Sequence, residues 1–290
     1  MTLATPASAV RRPGAHDHIV DVLIAERAPK LSSSPAWPLL RPLLYSVLGY
    51  AKARRMADAI AGMPGRAALD HVSDLLALKV EARGLERLPA SGRVIAVCNH
   101  PTGIADGVAV FDALKAVRPD ICFYANADAH RVSPRLGEVL IPVEWVEAKR
   151  TRDKTRAMLA LTREAIEAER FLAIFPAGRL ARRGGDEMLC DPPWMSSAVS
   201  IARKYEAPVL PVHLAGPWST LFHLFNGVSD ELRDITLFHE LLNKRGRAFS
   251  LTLGPVIAPT ALEGEPGEVT ARLKTYVERE LCSEPDRPFA

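Results

Sequence analysis

The run Asn99-His-Pro-Thr-Gly-Ile-Ala-Asp-Gly107 sets an imidazole, His100, six residues before a carboxylate, Asp106. A hydroxyl near neutral pH is a poor nucleophile and needs a base to take its proton. An imidazole has the right basicity, with a reference pKa of about 6.5. A carboxylate bonded to its second ring nitrogen fixes the tautomer and supports the imidazolium that forms. Pro101 and Gly103 let the chain turn tightly enough for the two groups to meet. The same spacing also fits a capped turn carrying an incidental histidine, and spacing alone does not separate the two.

A second stretch, Phe175-Pro-Ala-Gly-Arg-Leu-Ala-Arg-Arg183, follows an apolar run. Pro176 and Gly178 mark a sharp turn, and Gly178 permits a close backbone approach to a ligand. Arg179, Arg182 and Arg183 could hold a phosphate or carboxylate, which arginine binds bidentately. A solvated basic loop is the competing reading. The four cysteines, Cys98, Cys122, Cys190 and Cys282, form no C-x-x-C pair. They read as free buried thiols of a reducing compartment, with no metal site among them. No G-x-S-x-G is present, which argues against a serine hydrolase.

These loops need a scaffold. Short apolar segments at 78–83, 94–98, 121–124, 139–143, 171–175, 209–213 and 249–253 read as strands. Helical spacing falls at 107–117, 153–169, 195–205, 231–243 and 267–282. The alternation predicts an α/β fold, a mixed and largely parallel sheet flanked by helices. His100 and Asp106 then lie where a strand feeds a helix, a usual place for a site in such folds.

The N-terminal third reads differently. Residues 1–35 look like a flexible tail ending in L-S-S-S-P. Residues 36–61 predict one amphipathic helix, with Leu39, Leu40, Leu43, Leu44, Val47 and Leu48 on a broad apolar face. Trp37 and Tyr45 suit a lipid headgroup level, and Lys52, Arg54 and Arg55 follow. A helix packed on the core is the alternative. A second helix is expected at 66–76. The division is therefore a tail at 1–35, a helical and membrane-associating segment at 36–77, and an α/β domain at 78–290. Residues 1–69 hold nine Lys/Arg against four Asp/Glu, a net of +5 in a chain of net +3. That excess suits an anionic surface, whereas no basic stripe with interleaved aromatics suits nucleic acid. No apolar run of about 18 residues exists, so no membrane-spanning helix is expected.

Taken together, the motifs resemble the glycerolipid acyltransferase superfamily. Its first motif is Asn-His-x4-Asp, its third Phe-Pro-Glu-Gly, and its fourth an apolar strand with a proline, here V-L-P-V-H-L around Pro211. The resemblance is closer to the hemolysin-like and lyso-ornithine-lipid acyltransferase branch. That branch shares the longer His-x5-Asp, Phe-Pro-Ala-Gly, the E-L-L-N-K-R-G of residues 240–246 and the V-E-A-R-G-L-E-R-L-P-A-S-G of residues 80–92.

The resemblance implies an O-acyltransferase of the 1-acyl lysolipid type, taking acyl groups from acyl carrier protein or acyl-CoA, with no metal or cofactor. It implies His100 as general base and Asp106 as its partner. Asn99, Thr102, Gly103, Phe175, Pro176, Gly178 and Arg179 are expected to contact substrate, with the Gly178 N–H near the developing oxyanion and Arg179 on an anionic head group. Two departures stand out: Ala177 replaces the motif's Glu, and Leu140-Ile-Pro-Val-Glu144 lacks the Arg that ends the second motif in phosphatidate-making enzymes. They favour a zwitterionic or amino-acid-headed lysolipid over a glycerol phosphate. The expected place is the cytoplasmic face of the inner membrane, peripheral or monotopic. The alternatives are hydrolysis with water as acceptor, and a lipid-binding or membrane-remodelling protein without catalysis, which would need no base.

Overall fold

The computed structural model describes residues 17–144, 150–183, 189–217 and 219–290. At its centre is a seven-stranded sheet in the order β1-β9-β8-β2-β5-β3-β4. The strands are β1 (Lys79–Arg83), β2 (Val94–Cys98), β3 (Cys122–Asn126), β4 (Leu140–Val143), β5 (Phe171–Ile174), β8 (Val209–Ala215) and β9 (Ala248–Leu253). Strands β8, β2, β5, β3 and β4 run parallel. β9 is antiparallel to β8 and parallel to β1. β6 (Arg182–Arg183) and β7 (Leu189–Cys190) form a separate short hairpin.

Burial explains the sequence of the central strands. β2 and β5 are buried throughout, so both read as continuous apolar runs. In β2, Val94, Ala96 and Cys98 face one core and Ile95 and Val97 the other, following the two-residue period. The first core packs against helices α1 (Ile19–Arg27), α4 (Tyr50–Ile60), α5 (Gly65–Leu76), α6 (Ile104–Leu114) and α12 (Leu237–Leu242). The second packs against α8 (Arg152–Glu167), α9 (Ser197–Lys204) and α13 (Pro266–Thr275), which continues into a π-helical turn at Tyr276–Glu280. All seven expected strands are present, with ends shifted by at most two residues.

The N-terminal region corrects the sequence reading in two ways. Residues 1–16 lie outside the described residues, but 19–33 are no loose tail. They form α1 and α2 (Pro29–Ser33), with Val20, Leu23 and Ile24 buried. The Asp21 carboxylate accepts the Tyr45 and Tyr50 hydroxyls at 2.8 and 2.5 Å and ties α1 to the following helices.

The helix expected at 36–61 is broken into α3 (Trp37–Val47) and α4. Gly49 sits at φ 68°, which the continuous apolar spacing hid. Trp37 is buried and Tyr45 is held by Asp21, so neither ring is free at a headgroup level. α4 packs Ala53, Met56, Ala57 and Ile60 on the core, whereas α3 leaves Leu39 83% and Leu43 65% exposed. Among the described residues no helix is long and apolar enough to cross a membrane.

Candidate active site

The site forms at the carboxyl ends of β2 and β5, adjacent parallel strands whose following loops face each other. After β2 the chain turns through residues 99–103 into α6. Gly103 adopts φ 99° and ψ −144°, a region that only glycine enters readily, and a Cβ there would meet Leu180 at 3.2 Å. Asp106 lies in the first turn of α6 and is fully buried. Its carboxylate meets His100 Nδ1 at 2.9 Å and accepts the Thr102 N–H at 2.9 Å, the Gly103 N–H at 3.0 Å and the Thr102 hydroxyl at 2.5 Å.

This geometry fixes the chemistry of the ring. An ionised carboxylate can only accept, so Nδ1 carries the proton and Nε2 keeps a lone pair. Nε2 has no hydrogen-bond partner among the described residues. The His100 side chain is 16% exposed, with the Phe175 ring 4.7 Å away between centroids. Asp106 thus both caps α6 and orients the imidazole.

The backbone of His100 is clamped from two sides. Its N–H donates to both oxygens of Asp191 at 3.1 Å, and its carbonyl accepts the Ala181 N–H at 2.9 Å. Asp191 also accepts from the Trp194 indole at 2.9 Å. Burial, with the nearby Glu278 carboxylate adding to it, pushes the Asp191 carboxyl up to about 7, against the bonds from Trp194 and His100. Behind it, Glu278 accepts the Asp191 N–H at 2.7 Å and pairs with Lys274.

Beside this turn lies a cleft of about 370 Å³. Gly103, Ile104, Gly178, Arg179, Leu180 and Arg182 bring the two catalytic-edge loops to its wall. Asn126, the last residue of β3, Glu144, just past β4, and residues of α1 and α12 also line it, with Asp128, Phe222 and Arg233 among the rest. The lining of the cleft includes charged groups and the apolar Ile104, Leu180, Phe222 and Leu237. Among the described residues no group of three or more His, Cys, Asp or Glu side chains is placed to hold a metal ion.

Residues 79–215 match the Acyltransferase family model. The matched stretch is similar to the glycerolipid acyltransferase superfamily. The chain is 29% identical over 199 residues to a lyso-glycine lipid O-acyltransferase of Phocaeicola vulgatus, covering 65% of this chain and 68% of that protein. It is 26% identical over 195 residues to a lyso-glycine lipid O-acyltransferase of Bacteroides thetaiotaomicron, covering 65% and 70%. Among solved structures it is similar to the 1-acyl-sn-glycerophosphate (LPA) acyltransferase PlsC of Thermotoga maritima. That likeness has a TM-score of 0.46 at 17% identity, over 76% of this chain and 82% of that one.

Within this acyltransferase the expected contact residues divide. Gly103, Gly178 and Arg179 line the cleft, and Phe175 packs on the His100 ring. Pro176 is buried, and its carbonyl accepts the Met195 N–H at 3.1 Å.

Three expectations are corrected. Asn99, expected on substrate, has both ends of its amide spent on the backbone of Leu214, at 2.9 and 2.6 Å, joining β2 to β8. Thr102 is buried, with its hydroxyl spent on Asp106. The Gly178 N–H donates to the Phe175 carbonyl at 3.0 Å, closing the turn, so it does not point at an oxyanion. Of the cysteines, burial pushes the Cys98 and Cys122 thiols up, the latter to about 11, whereas Cys282 is exposed rather than buried.

Sequence reasoning missed Asp191 and Trp194, the ends of D-P-P-W: Asp191 holds the His100 N–H across 91 residues of chain, and the Trp194 indole donates to Asp191. The signal was a carboxylate and an indole on either side of two prolines. In E-L-L-N-K-R-G the structure gives Glu240 and Lys244 a buried ion pair at 3.2 Å, one edge of which lines the cleft.

Proposed function

We propose that this acyltransferase moves a fatty acyl group from a thioester, acyl carrier protein or acyl-CoA, to the hydroxyl of an amino-acid-headed lysolipid at a membrane surface. The observation that carries this reading is the 2.9 Å bond from His100 Nδ1 to the buried, fully engaged Asp106, which leaves Nε2 as a base beside the cleft. Nε2 takes the proton of the acceptor hydroxyl as its oxygen attacks the thioester carbonyl. The tetrahedral intermediate collapses, the C–S bond breaks, and the leaving thiolate takes the proton from the imidazolium. The ester product and a free thiol result, and His100 returns to its starting state. No nucleophile of the protein is acylated in this scheme.

The acceptor class draws support from the relatives named for lyso-glycine lipids and from Glu144, which ends the second-motif strand, lines the cleft and pairs with Lys154 at 2.9 Å. A carboxylate in that place disfavours a glycerol phosphate. Ile104, Leu180, Phe222 and Leu237 offer an apolar wall for an acyl chain.

Membrane contact is assigned to the exposed leucines of α3, followed by the basic start of α4. Deleting the N-terminal helices would remove core residues of α1 and α4, so substitution is the sharper test. Leu39→Asp with Leu43→Asp should lower binding to anionic vesicles about a hundredfold or more, since burying each leucine is worth about 1.5–3 kcal/mol. Unchanged co-sedimentation would place the contact elsewhere.

The reaction is tested by offering purified protein labelled acyl-acyl carrier protein, acyl-CoA and a panel of lysolipids, with products identified by mass. An acylated amino-acid-headed lysolipid is the expected product. Free fatty acid alone would show hydrolysis, and a preference for lysophosphatidic acid would overturn the acceptor class.

A further inference from the structure

The charges of the cleft do not cancel. Five carboxylates line it, and each has a cation at hand. Glu26 is held by Arg131 at 2.7 and 2.9 Å, Asp128 by Arg27 at 2.7 Å, and Glu144 by Lys154 at 2.9 Å. Asp234 is held by Arg233 at 2.7 Å and Glu240 by Lys244 at 3.2 Å. That accounts for two of the four arginines in the wall, Arg27 and Arg233. Arg179 and Arg182 remain, and neither makes an ion pair among the described residues.

Of these two, Arg182 is the unusual one. Its Nε is buried and has no hydrogen-bond partner. A buried donor left unmade costs free energy, more so for a charged group, and such a group in a folded protein calls for an explanation. Its position is also well fixed. Arg182 pairs with Cys190 in the β6–β7 hairpin. The residue before it, Ala181, is bonded to the His100 carbonyl, and the residue after Cys190, Asp191, holds the His100 N–H. The backbone that carries Arg182 is therefore anchored to the same position as the base, and its side chain lines the cleft.

We infer that Arg182, assisted by the exposed Arg179, binds the carboxylate of the acceptor's head group and selects acceptors that carry one. A guanidinium presents a planar fork that matches a carboxylate in two parallel hydrogen bonds. A phosphomonoester brings nearly two negative charges at neutral pH. Each of the five carboxylates in the wall already has its cation, so the charge left unmet among the described residues is that of Arg182 and Arg179. The inference rests on the acyl-transfer reading above and names the group by which that site would recognise its acceptor.

The test compares two acceptors: a glycine-headed lysolipid with a free carboxyl, and the same molecule capped as a primary amide. Lysophosphatidic acid is the third arm. Wild-type protein should prefer the free acid to the amide by about tenfold to a hundredfold in kcat/KM, the range of a charge-assisted hydrogen bond. Arg182→Gln should lose that preference through a raised KM for the acid, while turnover of the amide persists and reports an intact base. Arg182→Lys, which keeps the charge without the fork, should fall between.

Four results would overturn the inference. The first is a wild-type protein indifferent to the cap. The second is an Arg182→Gln variant that keeps full preference for the acid. The third is a variant that loses both acceptors equally, which would make Arg182 a structural prop. The fourth is lysophosphatidic acid outrunning the free acid in wild-type protein. These leave acyl transfer itself standing. Failure of wild-type protein to acylate any of the three would remove the acyl-transfer reading, and the inference with it.

Discussion

The loops that leave β2 and β5 begin on neighbouring strands, yet they treat their polar groups in opposite ways. In the first, Asp106 is buried and meets four donors, all from His100, Thr102 and Gly103 within seven residues of chain. In the second, Arg182 has a buried Nε with no partner, and the loop is placed by distant groups, Ala181 on His100 and Met195 on Pro176. The first loop is complete without substrate. The second holds a buried donor with no partner among the described residues. The difference separates the two tasks of a transfer enzyme. Proton movement needs a group fixed in advance, whereas recognition needs one left unsatisfied until the ligand arrives.

Breaking the complete loop should have the larger effect. Asp106→Asn can donate where the carboxylate only accepted, so it can reverse the ring tautomer and place the proton on Nε2. Turnover should fall about 10²- to 10⁴-fold, with acceptor KM little changed. A steady-state assay with full acceptor titration checks this, and near-normal turnover would show that Asp106 serves only as a helix cap.

Trimming the same loop should cost less. Thr102→Val removes one of the four donors and leaves the other three, so turnover should drop about tenfold, the worth of one hydrogen bond to a charged group. A loss as large as that of Asp106→Asn would mean that Thr102 touches substrate directly.

The smallest effect should come from the strap between the loops. A carboxyl that ordinarily titrates near 3.8 sits at about 7 in Asp191. Folded protein therefore keeps a proton that the unfolded chain gives up across that interval. The contribution of this group to stability is fully present below pH 4 or so and is lost as pH rises through about 7. Asp191→Asn cannot ionise yet still accepts from His100 and Trp194. Its melting temperature should fall less than that of wild type between pH 5 and pH 8, and parallel curves for the two proteins would contradict the assignment.

The same contrast explains what was legible in the sequence. His100 and Asp106 could be read because the whole constellation lies in one loop whose glycine and proline imply its turn. The seven strands could be read because burial on both faces leaves continuous apolar runs, as in β2 and β5. Asp191 and the orphaned Nε of Arg182 depend on contacts or exclusions set by the tertiary fold, which no local spacing encodes. Asn99 misled for a related reason: its place beside the base suggested substrate, while its partner, Leu214, is 115 residues away. The break at Gly49 was hidden because the apolar spacing runs straight across it. The five-residue α7 (Asp128–Val132) and the seven-residue α10 (Thr220–Asn226) are too short to show a helical period.

Acyl transfer by His100→Ala is the most direct test of the account. The folded variant would be given the labelled thioester and the acceptor that wild type uses, and the ester product quantified by mass. If His100 supplies the base, product formation should fall about 10³-fold or more while thermal stability stays close to that of wild type. Product at the wild-type rate from well-folded His100→Ala would contradict the assignment of this imidazole as the base.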